Sequence, residues 1–453
     1  MKKNLKALFT VAIASLLLLS ACAGDSPSHE QGDWLEAPSL KEAYVDSGIF
    51  DRFGFACESG EIANTSAAKG LVRHGNTTTP GNEFKPQFVL WQYSQPTELV
   101  DFTDSNGTTI KVPKKINFSE KMDPFLNAAK KADIQLRGHV LVWHSQTFEW
   151  FFTKDYAYKV TYSNGKPNNL VDKETMTARQ EWYIKSVLEH VAEWEAANGY
   201  GEGNHIIYSW DVVNEAVADD ARDNDTNYLR GSTPGTQDAH VDKYGNCTEG
   251  GGSRWYQIYE SGEFIVNAFR FANAYAPADV TLCYNDYNEY LNYNAGDGGS
   301  WKTEGIVRLL KYIKNGEEKT VDGRLVAPRI DAMGMQSHVE PNWMNVSSYE
   351  GALKRFLALD LDVQVTEFDI GTSNKDDTED WSSYFKLLKK YGKNGSEKSK
   401  YKGHCVTGVT IWGINDENSW KSYGGSQYPL IFKKSGSSYV TKDCFYSVLE
   451  AAN

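Results

Sequence analysis

Short apolar runs recur along this chain, and run after run closes on polar groups. The runs are "FGFA" (53–56), "HVLVWH" (139–144), "IIYSWDVVNE" (206–215), "VTLCYND" (280–286), "IDAMGMQSHV" (330–339), "LDVQVTEFDI" (361–370) and "GVTIWGIND" (408–416). Helical spacings fall between them. Ile184, Val187, Leu188 and Val191 repeat at i, i+3, i+4, i+7, as do Ile265, Ala268, Phe269 and Ala272, and then Ile306, Leu309, Leu310 and Ile313. Strand followed by helix, repeated, predicts parallel strands with crossover helices. His, Asn, Asp, Glu and Gln collect at the carboxyl ends of the runs, where a (β/α)8 barrel builds its site. A doubly wound open sheet also binds ligands at strand carboxyl ends. However, no Gly-rich phosphate loop follows the first run, and the polar groups are spread over too many strands. The expected fold is α/β, a (β/α)8 TIM barrel forming a single catalytic domain over residues 38–453.

Two stretches read as insertions. Residues 87–113 carry a hairpin signal at Asn106-Gly107, and residues 216–253 are rich in Asp, Gly, Asn and Thr. A long loop directly after Glu215 is expected to overhang whatever Glu215 does. Its "DDARDND" (219–225) lacks the spacing of an EF-hand and reads as a solvated loop.

The first 22 residues, "MKKNLKALFTVAIASLLLLSAC", read as an export signal: three lysines precede an apolar run too short and wrongly flanked for a membrane span. The ending "LLSAC" resembles a bacterial lipobox, which makes Cys22 the expected lipidated residue and 23–37 a flexible tether. The expected location is that of an exported lipoprotein on the outer membrane or cell surface, with membrane contact only through that lipid. A net charge of −13, dispersed along the chain, excludes nucleic acid or an anionic membrane surface as the main partner. The remaining cysteines, Cys57, Cys247, Cys283, Cys405 and Cys444, are scattered without a CxxC, so neither a disulfide framework nor a zinc site is expected. Among 13 Trp and 26 Tyr most must be core, and the surplus suits a cleft for sugar rings.

Asp211 and Glu215 are costly to bury unpaired, yet both lie in or at the end of one apolar run. Glu367 ends the upstream part of another, "VQVTEFD". Acids at a barrel mouth can simply be satisfied by Arg or Lys. Two carboxyls on facing strands are also what glycosidic hydrolysis requires, one protonated to donate to the leaving oxygen and one ionised to attack. Asp211 is expected to be a paired support. No metal and no cofactor are expected, because His, Asp and Glu do not recur at ligand spacing.

From about residue 38 the chain resembles glycoside hydrolase family 10, the endo-β-1,4-xylanases. The segments that carry the resemblance run in order: "TTPGNEFKP", "RGHVLVWHSQT", "WDVVNEA", "CYNDYN", "GMQSHV", "VTEFDI", "WGINDENSW" and "FYSVLEA". The resemblance implies Glu215 as general acid/base and Glu367 as nucleophile of a retaining enzyme, with carboxyls about 5 to 5.5 Å apart. It implies Asn214 as donor to the sugar 2-hydroxyl, His338 on the nucleophile with Asp369 behind it, and Asn285 bearing on the acid/base. Asn82, Lys85, His139, Trp143 and Gln146 are implied as the glycone floor, and Gln336 as a further substrate contact. Tyr287 is implied as an aglycone stacking face, with Trp412 and Trp420 as walls of the cleavage subsite. His144 reads as packed support rather than a ligand contact. A low-dielectric wall and the Glu367 anion are expected to raise the pKa of Glu215.

Two departures stand out. The family usually has Glu where this chain has Gly81, so the next sugar out loses a charged acceptor or gains room for a decoration. Lys421 stands where Arg is commoner. The expected activity is hydrolysis of xylan and xylo-oligosaccharides by a monomer. The rivals are a β-1,4-glucanase on the same barrel, disfavoured by two Trp crowding the fifth carbon, and an idle surface glycan-binding lipoprotein, which would not need both glutamates.

Overall fold

A computed structural model describes residues 29, 31–90, 95–221, 227–291, 301–343 and 345–453 of the 453-residue chain. The expected export signal and Cys22 therefore lie outside the described residues, as does most of "DDARDND".

Eight parallel strands pair in chain order and close on themselves: β1 (Arg52–Cys57), β2 (Thr77–Pro80), β3 (Gln135–Trp143), β4 (Ile207–Asn214), β5 (Thr281–Asp286), β6 (Ala332–Met335), β7 (Asp362–Ile370) and β8 (Val406–Ile411). Arg52 opposite Gly408 makes the closing register between β1 and β8. A helix follows each strand: α1 (Thr65–His74), α2 (Met122–Ala132), α3 (Lys173–Asn198), α4 (Glu263–Tyr275), α5 (Lys302–Lys314), α6 (Val346–Leu357), α7 (Thr378–Lys390) and α8 (Asp443–Ala451). This is the (β/α)8 TIM barrel that the alternation predicts.

The helices form for the reasons their periodicity gives. In α3 the Asp172 carboxylate accepts the Thr175 N–H and caps the first turn, and Gly199 at φ 82° ends the last. Between those caps Ile184, Val187, Leu188 and Val191 are all buried, each contributing about 1.5–3 kcal/mol relative to exposure. The matching stripes of α4 and α5 are buried as well.

The apolar reading finds seven of the eight strands. It misses β2, whose residues Thr77, Thr78, Thr79 and Pro80 are buried without a single aliphatic side chain. There the Thr78 hydroxyl donates to the Phe55 carbonyl at 2.6 Å, so a polar residue sits inside without an unpaired group.

Residues 99–103 and 109–113 pair as the antiparallel hairpin expected around Asn106-Gly107, with Gly107 at φ 87°. Residues 216–253 carry short pairings of their own. Val217 bridges Leu229, residues 240–241 pair with 247–248, and Leu229, Arg230, Asn246 and Cys247 are buried. Asp219, at the start of the acidic run, is exposed yet meets Lys302 and Tyr287. The five cysteines after residue 28 are buried and unbridged.

Candidate active site

Asp211, the acid inside an apolar run, is 1% exposed and fully paired. Arg137 on β3 meets both its oxygens, and His139 Nδ1 lies 3.0 Å from Oδ2. Burial alone would raise the Asp211 pKa, but these two partners overcome it and hold the carboxyl below its usual range. The expected paired support is present.

At the mouth the strands lose regular register. Shifts fall between His139 and Val142 on β3, between Cys283 and Tyr284 on β5, and between Val365 and Phe368 on β7. Such irregularities re-aim side chains at a barrel rim. Glu215 follows β4 at φ 56°, a left-handed conformation that costs a non-glycine residue about 1–3 kcal/mol and persists only when its surroundings fix it. They do so here: its N–H donates to the Asn285 carbonyl at 2.9 Å, and its carbonyl accepts from Arg230 Nε at 3.0 Å.

Among the described residues the Glu215 carboxyl receives only neutral donors. Trp143 Nε1 reaches Oε2 at 2.8 Å, and Gln336 Nε2 reaches Oε1 at 2.8 Å. Burial raises its pKa to about 7; Arg230 and the Gln336 bond oppose this, while Glu249 and Asp286 add to it. Burial is thus the leading cause of the shift that the sequence reading ascribed to a low-dielectric wall and the Glu367 anion together.

Glu367 on β7 meets different neighbours. His338 Nε2 lies 3.3 Å from Oε2, and Asn285 Nδ2 donates to Oε1 at 2.8 Å. Behind the imidazole, Nδ1 lies 3.0 Å from Asp369 Oδ1. Burial opposes charge on His338, but Asp369 and then Glu367 raise its pKa to about 10, so the ring is an imidazolium at neutral pH with both N–H groups donating. Burial likewise opposes charge on Glu367. The His338 bond, the charges of His139 and His338 and the Asn285 bond win, and its pKa is lowered.

Three amides tie the two carboxyls together. Asn285 Nδ2 donates to Asn214 Oδ1 at 2.9 Å as well as to Glu367, and Gln336 Nε2 approaches the same Asn214 oxygen at 3.2 Å as well as Glu215. Thr366 Oγ1 donates to Asn285 Oδ1 at 2.6 Å and fixes which way that amide points. Gly334 makes the room: a Cβ there would lie 2.5 Å from Asn285 Oδ1. Asn214 Nδ2 is buried without a partner among the described residues.

The remaining expected residues surround this centre. Lys85 Nζ donates to Asn82 Oδ1 at 3.1 Å and lies 5.2 Å from the Trp143 ring centre; Gln146 Nε2 approaches Asn82 at 3.4 Å. Burial lowers the Lys85 pKa, and Glu367 heads the acids that oppose this. Trp412 packs 5.6 Å from the His139 ring, and Trp420 lies edge-on 4.9 Å from His338 with Nε1 donating to Asp369 at 2.9 Å. Lys421 ion-pairs with Glu340 at 2.6 Å and lies 3.5 Å from Asp369. His144 is buried against the Glu249 carbonyl.

Four side chains make contacts beyond their implied parts. Asn285 places its amide on Glu367, and only its main-chain oxygen meets Glu215. Gln336 and Trp143 donate directly to Glu215. Tyr287 has Lys302 Nζ 4.4 Å from its ring centre and its hydroxyl in contact with Arg230 and Asp219, so it is pinned from both ends. Sequence reasoning missed Arg230 and Glu249. The available signal was the pair Leu229-Arg230, an apolar and a basic residue inside an otherwise acidic and glycine-rich loop. No cluster of three or more metal-ligating side chains occurs among the described residues.

A barrel whose carboxyl mouth holds one proton-retaining and one ionised glutamate in a single hydrogen-bonded network defines the glycoside-hydrolase class. Comparison with known proteins narrows this. The model of glycosyl hydrolase family 10 matches residues 39–451, and the chain belongs to that family. It is 33% identical over 403 residues to endo-1,4-beta-xylanase Y of Acetivibrio thermocellus, covering 87% of this chain and 30% of that protein. It is 30% identical over 429 residues to endo-1,4-beta-xylanase B of Butyrivibrio fibrisolvens, covering 91% of this chain and 53% of the relative. The chain thus spans from about a third to half the length of these relatives. Among solved structures it is similar to the N-terminal modules of an endo-1,4-beta-D-xylanase of Clostridium thermocellum, complexed with xylohexaose. That match has a TM-score of 0.66 at 28% identity and covers 95% of this chain and 69% of that one. A psychrophilic endo-beta-1,4-xylanase of the same family aligns at 25% identity with a TM-score of 0.61, covering 92% and 99%.

Proposed function

We propose that this chain is a retaining endo-1,4-β-xylanase that cuts internal bonds of xylan by double displacement. The observation that carries the reading is the opposite protonation preference of two buried glutamates joined by one amide network. Glu215, with its pKa raised to about 7, keeps a proton for the leaving oxygen. Glu367, held ionised beside the His338 imidazolium, attacks the anomeric carbon. Glycosylation removes the charge of Glu367, which makes Glu215 more acidic and fits it to take the proton of the incoming water. The unpartnered Nδ2 of Asn214 suits a sugar 2-hydroxyl, a contact that strengthens as positive charge develops on the ring. The substrate assignment leans on the xylohexaose bound by the Clostridium thermocellum modules and on the activities named for the relatives.

Proton NMR of products from a linear xylo-oligosaccharide tests this reading. The β-anomer is expected first, mutarotating later; α first overturns the mechanism, and cleavage of cello-oligosaccharides alone overturns the substrate. We propose further that the protein acts as a monomer on a lipid tether at Cys22. Mass spectrometry of the mature N-terminus is expected to find a diacylglyceryl cysteine, and an unmodified terminus overturns the tether.

A further inference from the structure

Directly after β1, Glu58 reaches toward the loop that follows β2. Its Oε1 accepts from Asn82 Nδ2 at 2.9 Å, and Asn82 passes the contact on to Lys85. Gly81 is what permits this. A Cβ on Gly81 would fall 2.3 Å from Glu58 Oε1 and 3.1 Å from its Cδ, so the Glu58 carboxyl occupies the volume a side chain at 81 would claim. The two loops are stapled by Glu83, which is 3% exposed: its Oε1 accepts the Ser59 N–H at 2.6 Å and its Oε2 the Asn82 N–H at 3.3 Å. The Glu58 N–H is held in turn by Glu61 Oε2 at 3.0 Å. Glu58 itself stays exposed, so hydroxyls can reach it from solvent. It is also one of the acids that sustain the charge of buried Lys85.

We propose that Glu58 is a specificity-determining sugar-binding residue, whose carboxylate accepts a hydroxyl of the xylose one unit upstream of the sugar at the cleavage site. This rests on the endo-xylanase reading above. Carboxylate, amide and ammonium in series along a cleft floor form an acceptor–donor set suited to adjacent hydroxyls of one ring. The loop after the first strand thereby supplies the exposed carboxylate that position 81 lacks, and glycine at 81 is its steric requirement.

The test compares turnover of p-nitrophenyl β-xyloside and p-nitrophenyl β-xylobioside by the full chain and by E58A, E58Q, G81E and E58A/G81E. E58A is expected to lower kcat/KM on the xylobioside about ten- to hundredfold more than on the xyloside, as loss of a charged hydrogen bond predicts. E58Q keeps the shape without the charge and should show most of that loss. G81E should lose activity because two carboxyls collide, and E58A/G81E should recover it. Melting temperatures of E58A and E58Q should stay near the parent's, because the hydrogen bond that Asn82 loses is a solvent-accessible one. Equal losses on both substrates, or losses that track melting temperature, overturn the proposal and leave Glu58 a structural link between the two loops. A parent that turns over both substrates alongside an unaffected E58A sinks the Glu58 assignment alone. A parent that turns over neither, and cuts no xylan, removes the endo-xylanase reading together with it.

Discussion

Glu215 and Glu367 share a residue type, a barrel end and near-complete burial, at 7% and 5% exposed. They nevertheless hold opposite proton preferences. Glu215 is met by an indole and an amide, while the Arg230 guanidinium is engaged by its main-chain oxygen. Glu367 is met by an imidazolium that Asp369 keeps charged. Burial pushes both pKa values up, so burial cannot be what separates them. The difference lies in whether a neighbouring cation is aimed at the carboxyl or at the backbone beside it.

Removing the ionised member should have the largest effect. Glu367→Gln is expected to lower xylan hydrolysis by at least about 10⁴-fold, since the proposed mechanism passes through a covalent bond to its carboxylate. Reducing-sugar release above a hundredth of the parent rate would contradict the nucleophile assignment. Glu215→Gln comes next, with a loss of about 10²–10⁴-fold on xylan. Glycosylation from an aryl glycoside whose leaving group needs no proton should be largely spared, and full activity on both substrates would rule Glu215 out as the acid.

The same variant sharpens the contrast through stability. A carboxyl whose folded pKa is raised from 4.5 to about 7 binds its proton more tightly in the folded state. Stability therefore falls as pH rises between those values, by up to about 3 kcal/mol. Glu215→Gln removes that fall, so chemical denaturation at pH 8 should find the variant more stable than the parent, with little difference at pH 4. A variant equally destabilised at both values would mean that the site stores no such strain.

The smallest effect is expected from Trp143→Phe, which deletes one donor to Glu215. Activity should decline as pH rises through about 7 in the parent, because Glu215 as the proposed acid must hold its proton. Without the indole the anion is less stabilised, and this basic limb should move up by about one pH unit. A limb that stays put or moves down would place the control of Glu215 elsewhere.

Most of the barrel was legible because its strands are aliphatic and its helices keep a 3.6-residue stripe. β2 was not. Its three threonines carry no apolar signal; the Thr78 hydroxyl is satisfied by Phe55 on the neighbouring strand, whereas those of Thr77 and Thr79 are buried without a partner among the described residues. The two glutamates were legible because carboxylates at the ends of apolar runs demand explanation. Arg230 was not, because its contact with Glu215 depends on how a loop of unusual composition folds back through the Val217–Leu229 bridge. The orientation of Asn285 was equally hidden, since Thr366 and the space above Gly334 decide it.

The three amides that join the carboxyls have one further consequence. Asn285, Asn214 and Gln336 offer an unbroken path of hydrogen bonds from Glu367 to Glu215, yet no member of that path ionises. A hydroxyl or an imidazole in the same place could pass a proton along by exchanging one bond for another. An amide would have to adopt its rare imidic tautomer to do so. The bridge therefore behaves as an insulator: it fixes the two electrodes at a set spacing and keeps the charge difference between them from discharging.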